Sequence, residues 1–227
     1  MPRWGMVIDL ERCNGCQACE IACRSENNIA VGGPEDAGMN RTISWIQVVA
    51  ETEGEWPEVR TKFYPRPCMH CDRPPCTAVC PVRATSIDDE GIVGQVYPRC
   101  IGCRYCANAC PYTVKYFNWH KPEYPESTTK MLNPDVSIRP VGVIEKCTFC
   151  HHRLQRARDQ ARAEGRPLRE EDYVPACAES CPTRAITFGD LDNVGHRVAK
   201  LVHDPRAFRL LEDLGTQPTV YYLAEER

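Results

Sequence analysis

The sequence predicts an α+β fold assembled from small repeated units. Three observations carry the prediction. All 16 cysteines of the 227 residues fall into four groups of four. Each group runs into a short helix-forming stretch, such as "CQACEIAC", "CRYCANAC" or "ACAESC". β-rich runs flank the groups, with "WGMVIDL" before the first, "VIEK" before the fourth and "AITFGD" after it. The unit reads as strand, tight loop, half-helix.

In chain order the groups are Cys13, Cys16, Cys19, Cys23; Cys68, Cys71, Cys76, Cys80; Cys100, Cys103, Cys106, Cys110; and Cys147, Cys150, Cys177, Cys181. Pro81, Pro111 and Pro182 follow the last cysteine of three groups, whereas Arg24 follows Cys23 in the first. Insertions of unequal length separate them. Residues 29–65 open with the loop "IAVGGPEDAGMN" and continue as "ISWIQVVA" and "EVRTKFYP" around Gly-Glu-Trp-Pro, which predicts a hairpin, either packed or facing a partner. Residues 119–140 hold prolines 122, 125, 134 and 140 with little periodicity, an extended arm that wraps its own core or docks on a neighbour. "HHRLQRARDQARAEGRPL" puts Leu154, Ala157 and Ala161 on one side of a surface helix ended by Gly165 and Pro167. The tail, 191–227, predicts two short helices broken at Pro205 and a final strand "TVYYL".

Composition narrows the function classes. A net charge of -3 gives no basic face for nucleic acid. No apolar run approaches the ~20 residues that cross a bilayer, and the first residues read as neither a secretory nor a twin-arginine leader, so the chain is expected to have no span or address of its own. Neither a Ser-His-Asp arrangement, a phosphate loop nor a glycine fingerprint is visible. The chemistry therefore rests on cysteine.

Disulfides, zinc and iron-sulfur clusters compete for these thiols. Independent disulfides have no use for four near-copies of one local spacing. Zinc uses paired Cys-x2-Cys knuckles, a pattern the fourth group matches when taken alone. Cys-x2-Cys-x2-Cys-x3-Cys-Pro, present at 100–111, is the bacterial iron-sulfur run, in which the fourth cysteine ligates the other cluster of a pair. Sixteen thiolates supply four [4Fe-4S] clusters with none left over. Metal binding would also contribute the folding free energy that such small units lack.

The segments "MVIDLERCNGCQACEIACRSEN", "CMHCDRPPCTAVCP", "CIGCRYCANACPY", "EKCTFCHHRL" and "ACAESCPTRAITFGDL" resemble the motifs of the four-cluster iron-sulfur subunits of complex iron-sulfur molybdoenzymes, the dimethyl sulfoxide reductase superfamily. Polysulfide, tetrathionate and arsenate reductase small subunits are similar, as is the iron-sulfur part of alternative complex III. The resemblance implies two ferredoxin-like dicluster units: residues 1–28 with 141–190, and residues 66–118. By the family pattern one cluster takes Cys13, Cys16, Cys19 and Cys181, and its neighbour Cys23, Cys147, Cys150 and Cys177. The other pair takes Cys68, Cys71, Cys76 with Cys110, and Cys80 with Cys100, Cys103, Cys106.

It further implies a non-catalytic electron-transfer subunit that links an NrfD/PsrC-like membrane quinone subunit to a molybdopterin (bis-MGD) catalytic subunit. Such a chain sits peripherally on the cytoplasmic membrane, on its periplasmic face by co-export or on its cytoplasmic face. An alternative-complex-III-like quinol oxidising assembly, a soluble polyferredoxin and a zinc interaction module are the rival readings. Around the motifs, His70, His151 and His152 are expected to pack or hydrogen-bond. Arg99, Arg104, Lys115 and Lys146 flank the motifs, where positive charge near a cluster would raise its potential, but each taken singly reads as solvated charge, and Trp45, Trp56, Tyr112, Tyr116, Phe117 and Trp119 read as packing residues.

Overall fold

The computed structural model describes residues 1–226. The chain opens with β1 (Trp4–Asp9), α1 (Ala18–Glu26), α2 (Pro34–Gly38), β2 (Ile46–Glu53), β3 (Arg60–Pro67) and α3 (Pro75–Ala78). It continues through β4 (Thr85–Ile87), β5 (Val93–Gln95), α4 (Tyr105–Asn108), β6 (Tyr116–Phe117), α5 (Glu126–Thr129) and β7 (Ile144–Glu145). Then come α6 (His151–Ala163), α7 (Ala176–Glu179), β8 (Ile186–Asp190), α8 (Arg197–Leu201), β9 (Ala207–Phe208) and β10 (Val220–Leu223).

One four-stranded sheet, ordered β8-β1-β10-β9, anchors the molecule. β1 runs antiparallel to β8, with Met6 opposite Phe188, and parallel to β10, with Met6 opposite Val220. A strand paired on both edges and covered on both faces must be apolar throughout, and Trp4–Ile8 are all buried. Met6 and Ile8 join the main core with Phe188, Val220 and Tyr222, while Val7 points to a smaller core with Val198 and Leu223. Trp4 stands edge-on to Tyr173 at 4.8 Å and stacks on Phe188 at 5.8 Å. Such aromatic pairs add about 0.5–1.5 kcal/mol beyond their buried area.

The cysteine loops grow out of this core. α1, carrying the end of the first group, packs on α7 of the fourth, and α3 of the second packs on α4 of the third. Helices this short are marginal by themselves, so tertiary packing and whatever the cysteines bind must fix them. The main core itself contains Cys19, Cys23, Cys68, Cys71, Cys147 and Cys177.

β2 and β3 form an antiparallel hairpin whose base, Ile46 and Pro67, is buried and whose outer half is exposed, with Trp56 89% exposed near the tip. The 119–140 segment includes the short α5 and lies against the end of the first group. Tyr124 donates to the Asn28 carbonyl at 2.6 Å, Asn28 Nδ2 donates to the carbonyls of Asn133 and Val136, and Asn133 N–H returns to Asn28 Oδ1 at 2.8 Å. α6 buries Leu154, Ala157 and Ala161, and Gly165 just beyond it takes φ +65°.

In the tail, helix is confined to α8 and one 3-10 turn at Glu212–Leu214. The second expected helix is replaced by β9, because Asp204 caps the Arg206 N–H at 2.8 Å and turns the chain so that Phe208 pairs with Tyr222. The tail also laces the second group to the sheet. Asp72 N–H donates to the Gln217 carbonyl, Arg73 N–H to that of Thr216, and Thr219 N–H to that of Met69, at 2.8–3.0 Å.

Candidate metal centres

Each centre starts from a loop that turns sharply enough to aim several sulfurs inward. In the first and third groups the glycine before the second cysteine, Gly15 or Gly102, has φ of +72° or +70°, and the residue after that cysteine, Gln17 or Arg104, is also left-handed. His70 in the second group and Phe149 with Cys150 in the fourth do the same turning without glycine. A second regularity follows the Cys-Pro pairs. Three residues after each terminal cysteine, Arg83, Thr113 and Arg184 adopt φ of +50° to +52°. That turn swings the next amide back on the sulfur: Ala84 N–H reaches Cys80 Sγ at 3.2 Å and Ala185 N–H reaches Cys181 Sγ at 3.3 Å.

The first group has no such proline. Here α1 continues through Cys23 to Glu26, and Asn27 supplies the donor instead, its Nδ2 3.6 Å from Cys23 Sγ and 3.8 Å from Cys150 Sγ. Arg24, standing where the others have proline, donates to the carbonyls of Ala30 and Ile43 and holds the insertion against the helix.

The sulfurs gather across the groups. Cys68, Cys71, Cys76 and Cys110 line one small void, and Cys13, Cys16, Cys19 and Cys181 line another. Two voids with the same lining, three sulfurs of one group and the last of another, suit the same occupant twice. Cys23, Cys147, Cys150 and Cys177 are all buried. Burial, and then the charges of Cys147, Cys150 and Cys177, push the Cys23 thiol far above its usual range. Cys100 and Cys106 share a small core with Cys76, Val93 and Ile144, with Cys103 exposed and Cys80 half-buried.

The donor chemistry tests what fits. All sixteen thiols are free. Each of the two voids is ringed by four sulfurs drawn from two groups. Burial pushes Cys19, Cys71 and Cys147 up to about 12 and Cys76 to about 11, with neighbouring thiols adding to the shift. At Cys80 and Cys181 burial pushes upward too, but hydrogen bonds at the sulfur outweigh it and lower both. Four thiolates in one dry void repel each other unless a cationic core sits among them, and binding that core displaces the protons. An iron-sulfur cubane meets both requirements.

Two charged residues correct the solvated reading. Lys146 is fully buried and donates to the carbonyls of Val93 and Cys147, and Lys115 is 7% exposed and donates to Thr85 Oγ1 at 3.2 Å. Their stems pass through the core and their ammonium groups end on oxygen acceptors inside it. Arg99 and Arg104 are exposed, Arg104 lying over Phe117 and Trp119. His70 is buried, stacked on Phe149 at 3.7 Å, and accepts from Val93 N–H through Nδ1. His152 pairs with Glu26. Sequence reasoning missed the buried pair Arg139–Glu145, in which Nε lies 3.0 Å from Oε2 and Trp45 Nε1 donates to the same carboxylate.

Cysteine loops that ring voids on a small α+β scaffold define an iron-sulfur electron-transfer protein. The 4Fe-4S dicluster domain family matches residues 59–130. Over 227 aligned residues, the chain is 55% identical to the menaquinone reductase iron-sulfur cluster-binding subunit of Nitratidesulfovibrio vulgaris, covering 98% of this chain and 89% of the relative. It is 38% identical to a selenate reductase subunit of Mesobacillus selenatarsenatis (97% and 72% covered) and 34% identical to the arsenate respiratory reductase iron-sulfur subunit of a Shewanella species (97% and 96% covered). The chain belongs to this family of iron-sulfur subunits of reductase complexes. It is an electron-transfer subunit that binds [4Fe-4S] clusters, not the catalytic one. Among the described residues no helix is long and apolar enough to cross a membrane.

Proposed function

We propose that the chain carries four [4Fe-4S] clusters and relays electrons between an NrfD/PsrC-like membrane subunit that handles quinone and a molybdopterin (bis-MGD) catalytic subunit. The ligand sets are Cys13, Cys16, Cys19, Cys181; Cys23, Cys147, Cys150, Cys177; Cys68, Cys71, Cys76, Cys110; and Cys80, Cys100, Cys103, Cys106. One observation carries this reading: each of two voids is lined by three cysteines of one group and the last cysteine of another. When bound, such a cluster supplies a one-electron site. The chain's own residues hold the sulfurs, keep water out through Met69, Phe149, Leu154 and Tyr173, and donate N–H groups to sulfur.

In this reading residues 1–28 with 141–190 form one dicluster unit and 66–118 the other. The 29–65 hairpin and the 119–140 arm serve docking: the hairpin's outer half is exposed, and the arm clasps its own core through Asn133 and Tyr124 while Met131 and Ile138 stay exposed. The subunit would then sit peripherally on the membrane. The similarity to a menaquinone reductase subunit favours electron flow toward quinone over flow from it.

The test is Cys110→Ser, read by electron paramagnetic resonance of the purified complex. The signal of the cluster held by Cys68, Cys71 and Cys76 should change, because Cys110 is lent across the pair. Loss confined to the cluster of Cys100, Cys103 and Cys106 would refute the ligand sets.

A further inference from the structure

Lys115 and Lys146 are the two buried ammonium groups beside the cysteines, and their surroundings are unusual for a buried charge. Lys146 Nζ is held by the carbonyls of Val93 and Cys147, and Lys115 Nζ by Thr85 Oγ1 with Gln95 Oε1 3.5 Å away. Among the described residues neither has a carboxylate within ion-pair reach; Glu145, next to Lys146 in sequence, is taken by Arg139. A buried cation without a compensating anion is strongly destabilising. Neutral oxygens satisfy the N–H donors but leave the net charge uncompensated. The missing negative charge is therefore supplied by something the cysteines bind. A cubane core carries fewer positive charges than its four thiolates carry negative ones, so each such site is an anion.

Position assigns the lysines to particular sites. Lys115 and Val93 both line the void ringed by Cys68, Cys71, Cys76 and Cys110. Lys146 donates to the carbonyl of that same Val93 and to that of Cys147, so it bridges the second and fourth groups. The seam between these groups is tightened there by His70 of the second group stacked on Phe149 of the fourth. In keeping with this placement, both lysines draw the Cys76 thiol downward against burial, Lys115 acts the same way at Cys110 and Cys80 of the second half, and Lys146 at Cys147.

Resting on the ligand sets proposed above, we propose that Lys146 is a counter-charge shared by the two clusters that meet at the seam, and that Lys115 serves the second half alone. Reduction adds an electron to a site that is already anionic. A fixed cation in a low-dielectric interior stabilises the reduced form more than the oxidised one, and so raises the potential. The pair would keep the middle of the relay from becoming a barrier to electrons.

The experiment is an anaerobic redox titration of the purified complex, followed by electron paramagnetic resonance, with iron and sulfide content as a parallel readout. Lys146→Gln, which retains a donor for the carbonyls, should shift two clusters to lower potential, those of Cys68/Cys71/Cys76/Cys110 and Cys23/Cys147/Cys150/Cys177, at unchanged iron content. Lys146→Arg should restore both, and Lys115→Gln should shift the clusters of the second half, Cys68/Cys71/Cys76/Cys110 and Cys80/Cys100/Cys103/Cys106, and leave that of Cys23/Cys147/Cys150/Cys177 unmoved. Should Lys146→Gln lose iron, Lys115→Gln decides: a shift confined to the second half supports the inference, and an unmoved potential overturns it. Four normal signals with unmoved potentials in Lys146→Gln overturn the inference and leave the ligand sets standing. Fewer than four clusters in the unsubstituted chain overturn both.

Discussion

Replacing Arg139 with methionine keeps an apolar stem and deletes a guanidinium that is 2% exposed. That group donates to Glu145 at 3.0 Å, to the carbonyls of Asn27 and Ser137 at 2.6 and 2.9 Å, and to the Asn28 carbonyl at 2.6 Å. Removing one partner of a buried pair costs about 3–5 kcal/mol. The orphaned Asn27 carbonyl adds about 1 kcal/mol. Against this, burial already pushes the Glu145 carboxyl up while Arg139 pulls it back, so without Arg139 the carboxyl takes up a proton and recovers part of the loss. A net of about 3–5 kcal/mol remains, and at 1.4 kcal/mol per tenfold it corresponds to opening roughly a hundredfold to several thousandfold more frequent.

The assay is native-state hydrogen exchange on the anaerobically purified protein, read at two amides that the arm closes. These are Asn133 N–H, bonded to Asn28 Oδ1, and Gly142 N–H, bonded to the Asn118 carbonyl, both at 2.8 Å. In the variant Glu145 has a folded pKa above its unfolded one, so its contribution is present below the unfolded carboxylate range and is lost as pH rises through the folded value. The gap to the parent should accordingly narrow from pH 8 to pH 5.5. Acceleration below tenfold at both amides, or a gap that widens on acidification, would show that the pair does not clasp the arm.

Gly102→Ala should disable the third loop: φ is +70° and a new Cβ would lie 2.3 Å from the Gly142 carbonyl oxygen, so iron content should fall by one cluster's share, and full iron would refute the turn argument. Glu26 is held at about 2 by the Arg153 guanidinium, against the opposing effect of burial, with His152 assisting. Its stabilisation is therefore fully present above the unfolded carboxylate pKa and lost only as pH falls toward 2. Glu26→Gln should cost about 1–2 kcal/mol, a drop of about 3–6 °C in the thermal midpoint. That drop should be constant from pH 8 to 9, above the range in which a histidine partner changes charge, and a difference that varies across this window would contradict the assignment.

The cysteine loops were legible because their chemistry is local. Three sulfurs within seven residues at Cys13–Cys19 or Cys100–Cys106, with Gly15 and Gly102 where the backbone turns left-handed, describe a binding loop before any tertiary contact forms. The β-rich run "WGMVIDL" likewise announced a strand, and Leu154, Ala157 and Ala161 on one side announced a surface helix. Arg24 in place of proline marked a departure, but the donor that compensates for the missing turn, Asn27, was visible only in space.

What tertiary structure alone decided joins residues far apart in the chain. The parallel pairing of β1 with β10 links Met6 to Val220. Arg139 reaches Asn27, and Lys146 reaches Val93. No periodicity encodes such contacts, and whether a lysine is solvated or buried depends on which distant segment covers it. Spacing therefore determined that this chain holds clusters in cysteine loops, whereas the fold determined which charges are sealed beside them, because burial is a property of the packed chain and not of any single segment.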